Sequence, residues 1–455
     1  MKLYKKIICL GMALSFCLSC IACGGKKTDL PNYETGINDY EYIVNSWYSP
    51  HITREQYQLY KDANFNWIIL QGENVSSNFS GALDLCDELG IKAYVDLANN
   101  LSAIRTANKY LSHPSYKGIY AYDEPFFKDT YTNGSVHCGI STVSNYLEGY
   151  EELNEGKDFI VNLNPIYSQD VIDQTANLGG YQAYIDEYCN LIMDHITTGD
   201  KWLSCDSYPL MNSGMYTGWL ENLEYYSLAK QSYQEKGVKV KTNMMFQSMP
   251  FGTSWNVIPN YELLSIQFYT CLAFGYDSVT YYCYATPRVS EVATETQFAL
   301  VDREGNTTSI YNHAKKLNSE ILAFDHYFMT FDNWQGICPI VAEGRSNKSN
   351  ESFNGLSAPI NISALEGISG IKSTGDVLVG HVKDAKNNSA YWLVNYDEDS
   401  LFDGTEISVD INFKKYYNQT YQFIEGEKKT AAIENGKINL SLKSGQGVFI
   451  IPYHD

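Results

Sequence analysis

The chain has 455 residues, 44% of them hydrophobic, enough for two domains or one large barrel with an appendage. A net charge of −20, with pI about 4.8, argues against nucleic acid as a partner and against docking on an anionic membrane surface. Its 38 tyrosines offer flat apolar faces with polar tips, which suit sugar rings and also plain half-buried packing.

Residues 1–23 read as a targeting segment. Lys2, Lys5 and Lys6 form a basic start, Ile7 to Ile21 an apolar stretch too short for a lasting membrane span, and Ala22 a small residue before Cys23. The run Ser19-Cys20-Ile21-Ala22-Cys23-Gly24-Gly25 resembles a bacterial lipoprotein cleavage box, in which the cysteine after a small residue is lipidated. Cys20 stands where a leucine is usual; Ala22 and the following glycines favour Cys23 over Cys20 as the lipidation site. The resemblance implies an exported, cell-surface lipoprotein that meets the membrane through its lipid anchor only. Residues 24–38 then form a flexible tether.

From residue 39 to 325, short β-prone runs alternate with helix-like segments. The runs are 42–47, 67–71, 92–97, 118–123, 158–164, 202–206, 239–246 and 278–284. The helical stretches are 53–63, 80–89, 103–111, 143–153, 180–196, 219–236, 261–274 and 309–323. Eight strand–helix units predict an α/β fold, a (β/α)8 TIM barrel, over a doubly wound sheet, which would usually carry a Gly-rich phosphate turn. Thr53 precedes Gln56 at capping-box spacing, and Gly90 follows Leu89 as a helix-ending glycine would. Residues 326–455 lose the helical period. Alternating runs at 377–381, 390–395, 406–411, 420–424, 437–442 and 447–451 predict an antiparallel β-sandwich, with turns at Asn387-Asn388, Asp403-Gly404 and Asn435-Gly436. The seven cysteines after the leader are widely spaced and lack C-x-x-C, which supports neither a disulfide framework nor a zinc site.

In such a barrel the site comprises the residues at the C-terminal strand ends. These are Trp47 (with Asn45), Gln71, Asp96, Asp123, Glu124, Asn162, Asn164, Asp206, Tyr208, Gln247 and Tyr282. Amides and carboxylates bind hydroxyls and aromatic rings stack, so the set suits a carbohydrate substrate. It suits phosphate badly, and it calls for no metal and no cofactor. Each residue also has a local reading: Trp47 as a plug in the mouth, for instance, or Asp206 as a cap for the Pro209 turn.

The segment YKGIYAYDEP (116–125) ends an apolar run in two acids and a proline, which stops the strand. Glycoside cleavage needs one carboxyl to protonate the leaving oxygen and another to stabilise or attack the oxocarbenium centre. Glu124 is the candidate acid, because a neighbouring Asp123 and partial burial would raise its pKa.

Five stretches carry a wider resemblance: ITREQYQLYKDANFNWIIL (52–70), GIYAYDEP (118–125), DSYP (206–209), YELLSIQFYTCLAFGYDSVTYYCY (261–284) and LVDREGNTTSIYNHAKKLNSEI (300–321). They are similar to barrel glycoside hydrolases of the β-galactosidase-like clan. GDVLVGHVKD (375–384), SAYWLVNYD (389–397) and GQGVFIIP (445–452) are similar to the β-domain appended to many of them. The resemblance implies an extracellular glycoside hydrolase with its acid/base glutamate at the end of strand four. It also implies a glutamate nucleophile at the end of strand seven, where this chain has Gln247. Three routes stay open. The substrate's own acetamido group attacks with Asp123 orienting it; Asp206 acts as base on water; or the cleft is a carbohydrate-binding surface without turnover.

Overall fold

A computed structural model describes residues 41–98, 100–132, 135–212, 214–216, 218–250, 252–288, 297–344 and 352–455. The leader, the tether and Cys23 lie outside the described residues.

Eight parallel strands form one sheet in chain order: β1 (Ile43–Ser46), β2 (Trp67–Leu70), β3 (Lys92–Asp96), β4 (Tyr116–Asp123), β5 (Asp158–Leu163), β6 (Trp202–Asp206), β7 (Lys241–Gln247) and β8 (Ser278–Tyr282). β8 pairs with β1, with Ile43 opposite Ser278. The β1–β2 seam is drawn together without a regular ladder. Asn66 N–H donates to Val44 O at 3.3 Å, the Asn66 side-chain oxygen accepts from Val44 N–H, and Ser49 N–H donates to Gln71 O at 3.0 Å.

Helices surround the sheet: α1 (Arg54–Asp62), α2 (Phe79–Leu89), α3 (Tyr181–Leu191), α4 (Gly218–Glu235), α5 (Tyr261–Ala273) and α6 (Ser309–Leu322). Thr53 caps α1 by accepting from Gln56 N–H, and Gly90 ends α2 in the left-handed region at φ 67°. The helices expected over 103–111 and 143–153 are each broken into two short pieces.

Strand residues alternate between the two faces with period two. One set packs outward against the helices: Val44, Ile68, Val95, Ile119, Val161, Leu203, Met244 and Val279. The other fills the barrel: Ile43, Trp67, Ile69, Tyr94, Tyr120, Ile160, Trp202 and Met245. Trp47, Gln71, Asp96, Asn162, Asp206, Gln247 and Tyr282 continue this inward phase to the strand ends, whereas Asp123 and Glu124 fall outside the count.

Two antiparallel sheets follow. The larger contains β9 (Asn333–Ile340), β11 (Val377–Lys383), β12 (Ser389–Asn395), β17 (Gly447–Tyr453), β14 (Gln419–Ile424) and β15 (Glu427–Ala432), in that spatial order. The smaller contains β10 (Ile368–Ser373), β13 (Ile407–Phe413) and β16 (Lys437–Leu442). Val379, Leu393 and Ile450 of the larger sheet meet Ile371, Val409 and Leu440 of the smaller in a second core. The expected turn at Asp403-Gly404 is the end of a short helix, Glu398–Asp403, closed by left-handed Gly404. β9, β10 and β15 have no counterpart among the predicted runs. β15 (EKKTAA) is a largely exposed edge strand with little apolar alternation.

The outer face of the larger sheet packs on the barrel. Trp392 lies against Tyr269 of α5 and against Phe324 and Phe328. Gly380 faces the α5 carboxyl end so closely that a Cβ there would stand 2.1 Å from Ala273 O.

Candidate functional site

The mouth of the barrel collects carboxyls on β4 and β6, and β4 owes this arrangement to a bulge. Tyr120 is paired with Ile160, but the next pair is Tyr122 with Val161, so one extra residue enters β4. Strict alternation would put Tyr120 and Tyr122 inside and turn Asp123 outward. The bulge re-aims the strand, and Tyr120 and Asp123 both face inward, with the Tyr120 hydroxyl donating to Asp123 Oδ1 at 3.1 Å.

Glu124 follows at φ +50°, a left-handed conformation rare for a residue with a Cβ, and its N–H donates to Asn162 O at 2.8 Å. Its side chain is exposed, where the sequence suggested partial burial. The turn beyond it is clamped: the Asn164 amide and the Tyr184 hydroxyl both donate to Pro125 O. Asn164 is itself buried and spends its amide on this turn.

Asp206, 4% exposed, sits beside the pair. Asn162 Nδ2 donates to Asp206 Oδ1 at 2.8 Å and to Asp123 Oδ1 at 3.3 Å, so one amide joins the β4 and β6 carboxyls. Behind it a polar chain crosses the barrel. Ser204 donates to Asn162 Oδ1, Asn243 donates to Ser204, and Ser278 and Thr280 donate to Asn243. Burial first, then the charges of Glu124 and Asp123, hold the Asp206 carboxyl well above the usual carboxylate range. The Asn162 bond works in the opposite direction. Asp96, at the end of β3, is pushed up to about 7 by burial, with Asp123 adding to the effect and the Ala98 N–H opposing it.

Aromatic walls surround the acids. Tyr208 and Tyr282 meet with ring centres 5.0 Å apart, and the peptide after Tyr282 is cis. Trp47 covers Tyr120 at 4.8 Å from inside the barrel. Gln71 lines a cavity together with Asp96. Gln247 is fully buried: its Oε1 accepts from Leu210 N–H at 3.0 Å, and its Nε2 donates to Trp255 O at 3.1 Å and Met249 O at 3.4 Å. Its amide therefore holds the loops after β6 and β7.

Two neighbours were not singled out from the sequence. Tyr167 is half-buried within electrostatic reach of Asp206 and Glu124, and desolvation first, then those charges, raise its hydroxyl pKa. Trp255 donates to Tyr208 O at 3.1 Å. Tyr167 comes four residues beyond the end of β5, outside a strand-end search, although Pro165 marks the turn that carries it. Among the described residues the only His/Cys/Asp/Glu cluster with metal-binding spacing is Asp84, Asp87 and His113. It lies at the opposite end of the barrel, where the His113 ring and Ser115 N–H bond to Asp87 before β4 begins.

The sequence matches no family model and no curated protein. Solved structures do share its fold. The GH42 β-galactosidase Gan42B from G. stearothermophilus aligns over 91% of this chain and 98% of its own, at 9% identity and a TM-score of 0.53. A family 39 glycoside hydrolase from the gut symbiont Bacteroides cellulosilyticus WH2 covers 91% and 82%, at 10% identity and a TM-score of 0.48. The first of these likenesses places the barrel with its appended β-sheets in a known fold. At such identity it speaks for architecture alone.

Proposed function

We propose that this protein is a glycoside hydrolase acting on an oligosaccharide or polysaccharide, with Glu124 and Asp206 as its working carboxyls. The observation that carries the reading is buried Asp206, its carboxyl pKa raised by burial and by exposed Glu124 and half-buried Asp123 beside it. Like charges within electrostatic reach disfavour one another's ionisation, and burial adds to this at Asp206, so the cluster favours keeping a proton there. A bound sugar that dries the mouth disfavours the charge on Glu124 and draws that proton onto it, leaving Asp206 ionised. Glu124 then protonates the glycosidic oxygen as the C–O bond breaks. Water adds to the anomeric carbon and gives its proton to Asp206. The cycle ends where it began, with Glu124 ionised and Asp206 protonated, and the anomeric centre is inverted. Asp123, engaged by Tyr120 and Asn162, orients the substrate or its acetamido group. Trp47, Tyr208 and Tyr282 supply ring faces, Gln71 and Asp96 bind hydroxyls, and Asn164 and Gln247 shape the walls.

One observation favours a second reading, a carbohydrate-binding surface protein without turnover: the amide of Gln247 at the end of β7, where retaining members of the resembled clan have a nucleophile. The two readings separate in one experiment. The parent and Glu124→Gln are assayed on aryl glycosides, N-acetylhexosaminides included, with the product anomer followed by NMR. The hydrolase reading expects turnover, inversion and a loss of at least about a hundredfold in the variant. Saturable glycan binding with no turnover in the parent would establish the second reading.

In either case we place the protein outside the cell, anchored through a lipid on Cys23. Labelling with a fatty-acid analogue that is lost in Cys23→Ala, and retained in Cys20→Ala, tests this.

A further inference from the structure

A cavity of about 770 Å3 opens beside the carboxyl cluster, between the loops that follow β2 and β3. Its volume falls within the roughly 300–1,000 Å3 of small-molecule sites. Asp96 belongs to its wall and also lies within electrostatic reach of Asp123, so the cavity adjoins the reacting end of the barrel.

Its lining pairs rings with hydrogen-bonding groups. Tyr48, Phe79 and Tyr110 contribute aromatic surface, and Gln71, Asp96 and Asn100 contribute amides and a carboxyl. The Phe79 and Tyr110 rings meet edge to face at 6.3 Å. Tyr48 is held at φ +57°, and its ring lies over Gly72 so tightly that a Cβ there would stand 2.5 Å from it. Backbone strain of this kind persists where the surroundings enforce it. Gln71 shows a specific need. Its backbone N–H and C=O are both bonded to Ser49, while its Oε1 is buried and has no hydrogen-bond partner in the protein. A buried acceptor left unmatched is unfavourable, and a ligand hydroxyl can supply the donor.

We propose that this cavity is a second sugar-binding subsite, so that the natural substrate is an oligosaccharide or polysaccharide whose chain runs from the Glu124–Asp206 mouth toward β2 and β3, with one neutral sugar unit seated between Tyr48, Gln71 and Asn100. The proposal rests on the mouth being a sugar site. It adds that affinity is set by chain length rather than by a single unit.

The test uses the full chain carrying Glu124→Gln, which keeps bound glycans intact, and titration calorimetry with gluco-, galacto-, manno- and xylo-oligosaccharides of one to four units. In at least one series affinity is expected to rise at least tenfold between the monosaccharide and the longer chains. Ser77→Trp places an indole at the exposed cavity edge and is expected to reduce that ratio below twofold. Asn100→Ala, a smaller change, is expected to reduce it three- to tenfold. No length step in any series, or a step that both variants leave intact, overturns the subsite. A parent that shows the step but hydrolyses nothing refutes the hydrolase reading and leaves the subsite standing. Hydrolysis without a step does the reverse.

Discussion

The Tyr120 hydroxyl donates to Asp123 at 3.1 Å although the two residues are three apart on one strand. In a regular strand residues of odd separation face opposite sides. The bulge between them therefore decides that Asp123 enters the barrel. Tyr120→Phe removes the donor and keeps the ring on Trp47. It is expected to cost about 0.5–1.5 kcal/mol in urea unfolding and to lower kcat/KM several-fold by loosening Asp123.

In the proposed cycle Asp206 carries the proton that passes to Glu124. Asp206→Asn cannot share a proton with Glu124, so turnover is expected to fall at least about a hundredfold. The alkaline limb of the kcat/KM profile is expected to shift to lower pH, because the remaining proton is no longer shared within a carboxyl pair. A profile of unchanged shape would separate Asp206 from the chemistry.

Asp96 predicts a stability effect of definite sign. Its folded pKa of about 7 lies above the ordinary value near 3.9, so between these limits the native state binds more protons than the unfolded one. The stabilisation present below about pH 4 is lost as pH rises to about 7, at no more than about 1.4 kcal/mol per pH unit. Asp96→Asn removes this loss. The variant's urea midpoint, relative to the parent's, is expected to climb between pH 4 and 7 and to level off above.

Gln247→Glu restores the carboxylate that the resemblance implies at the end of β7. It is not expected to raise turnover, because the side chain is fully buried and faces Leu210 N–H, Met249 O and Trp255 O. Placing a carboxylate oxygen against those carbonyls is expected to cost at least about 2 kcal/mol of stability. A gain in activity would show that the residue reaches substrate.

Gly380 joins the two halves of the molecule. Gly380→Ala puts a methyl against Ala273 O, and overpacking of this kind costs about 1–3 kcal/mol. A lower urea midpoint without loss of the β-sheet circular dichroism signal is the expected result.

The eight βα units were legible because their strands are short, apolar and regularly followed by helix-period runs, and burial between barrel and helices imposes that pattern locally. Glu124 and Asp123 stood out for a related reason: two acids and a proline cannot continue a strand buried on both faces. The short exposed edge strand β15 was not legible, since it owes its pairing to β14 rather than to its own alternation. Nor was the inward turn of Asp123, because a bulge is a mismatch between two strands and is written in neither alone. Gln247 makes the same point. Its place at a strand end follows from sequence, but its amide is committed to backbone groups of the loops after β6 and β7, which only tertiary packing brings to it. Asp206 became an acid of raised pKa in the same way, since its burial and the groups around it come from β4 and β5, dozens of residues away. Residue types and periods determine which groups stand at the mouth. Long-range contacts determine which of them are raised in pKa, which bind backbone, and which stay exposed at the mouth.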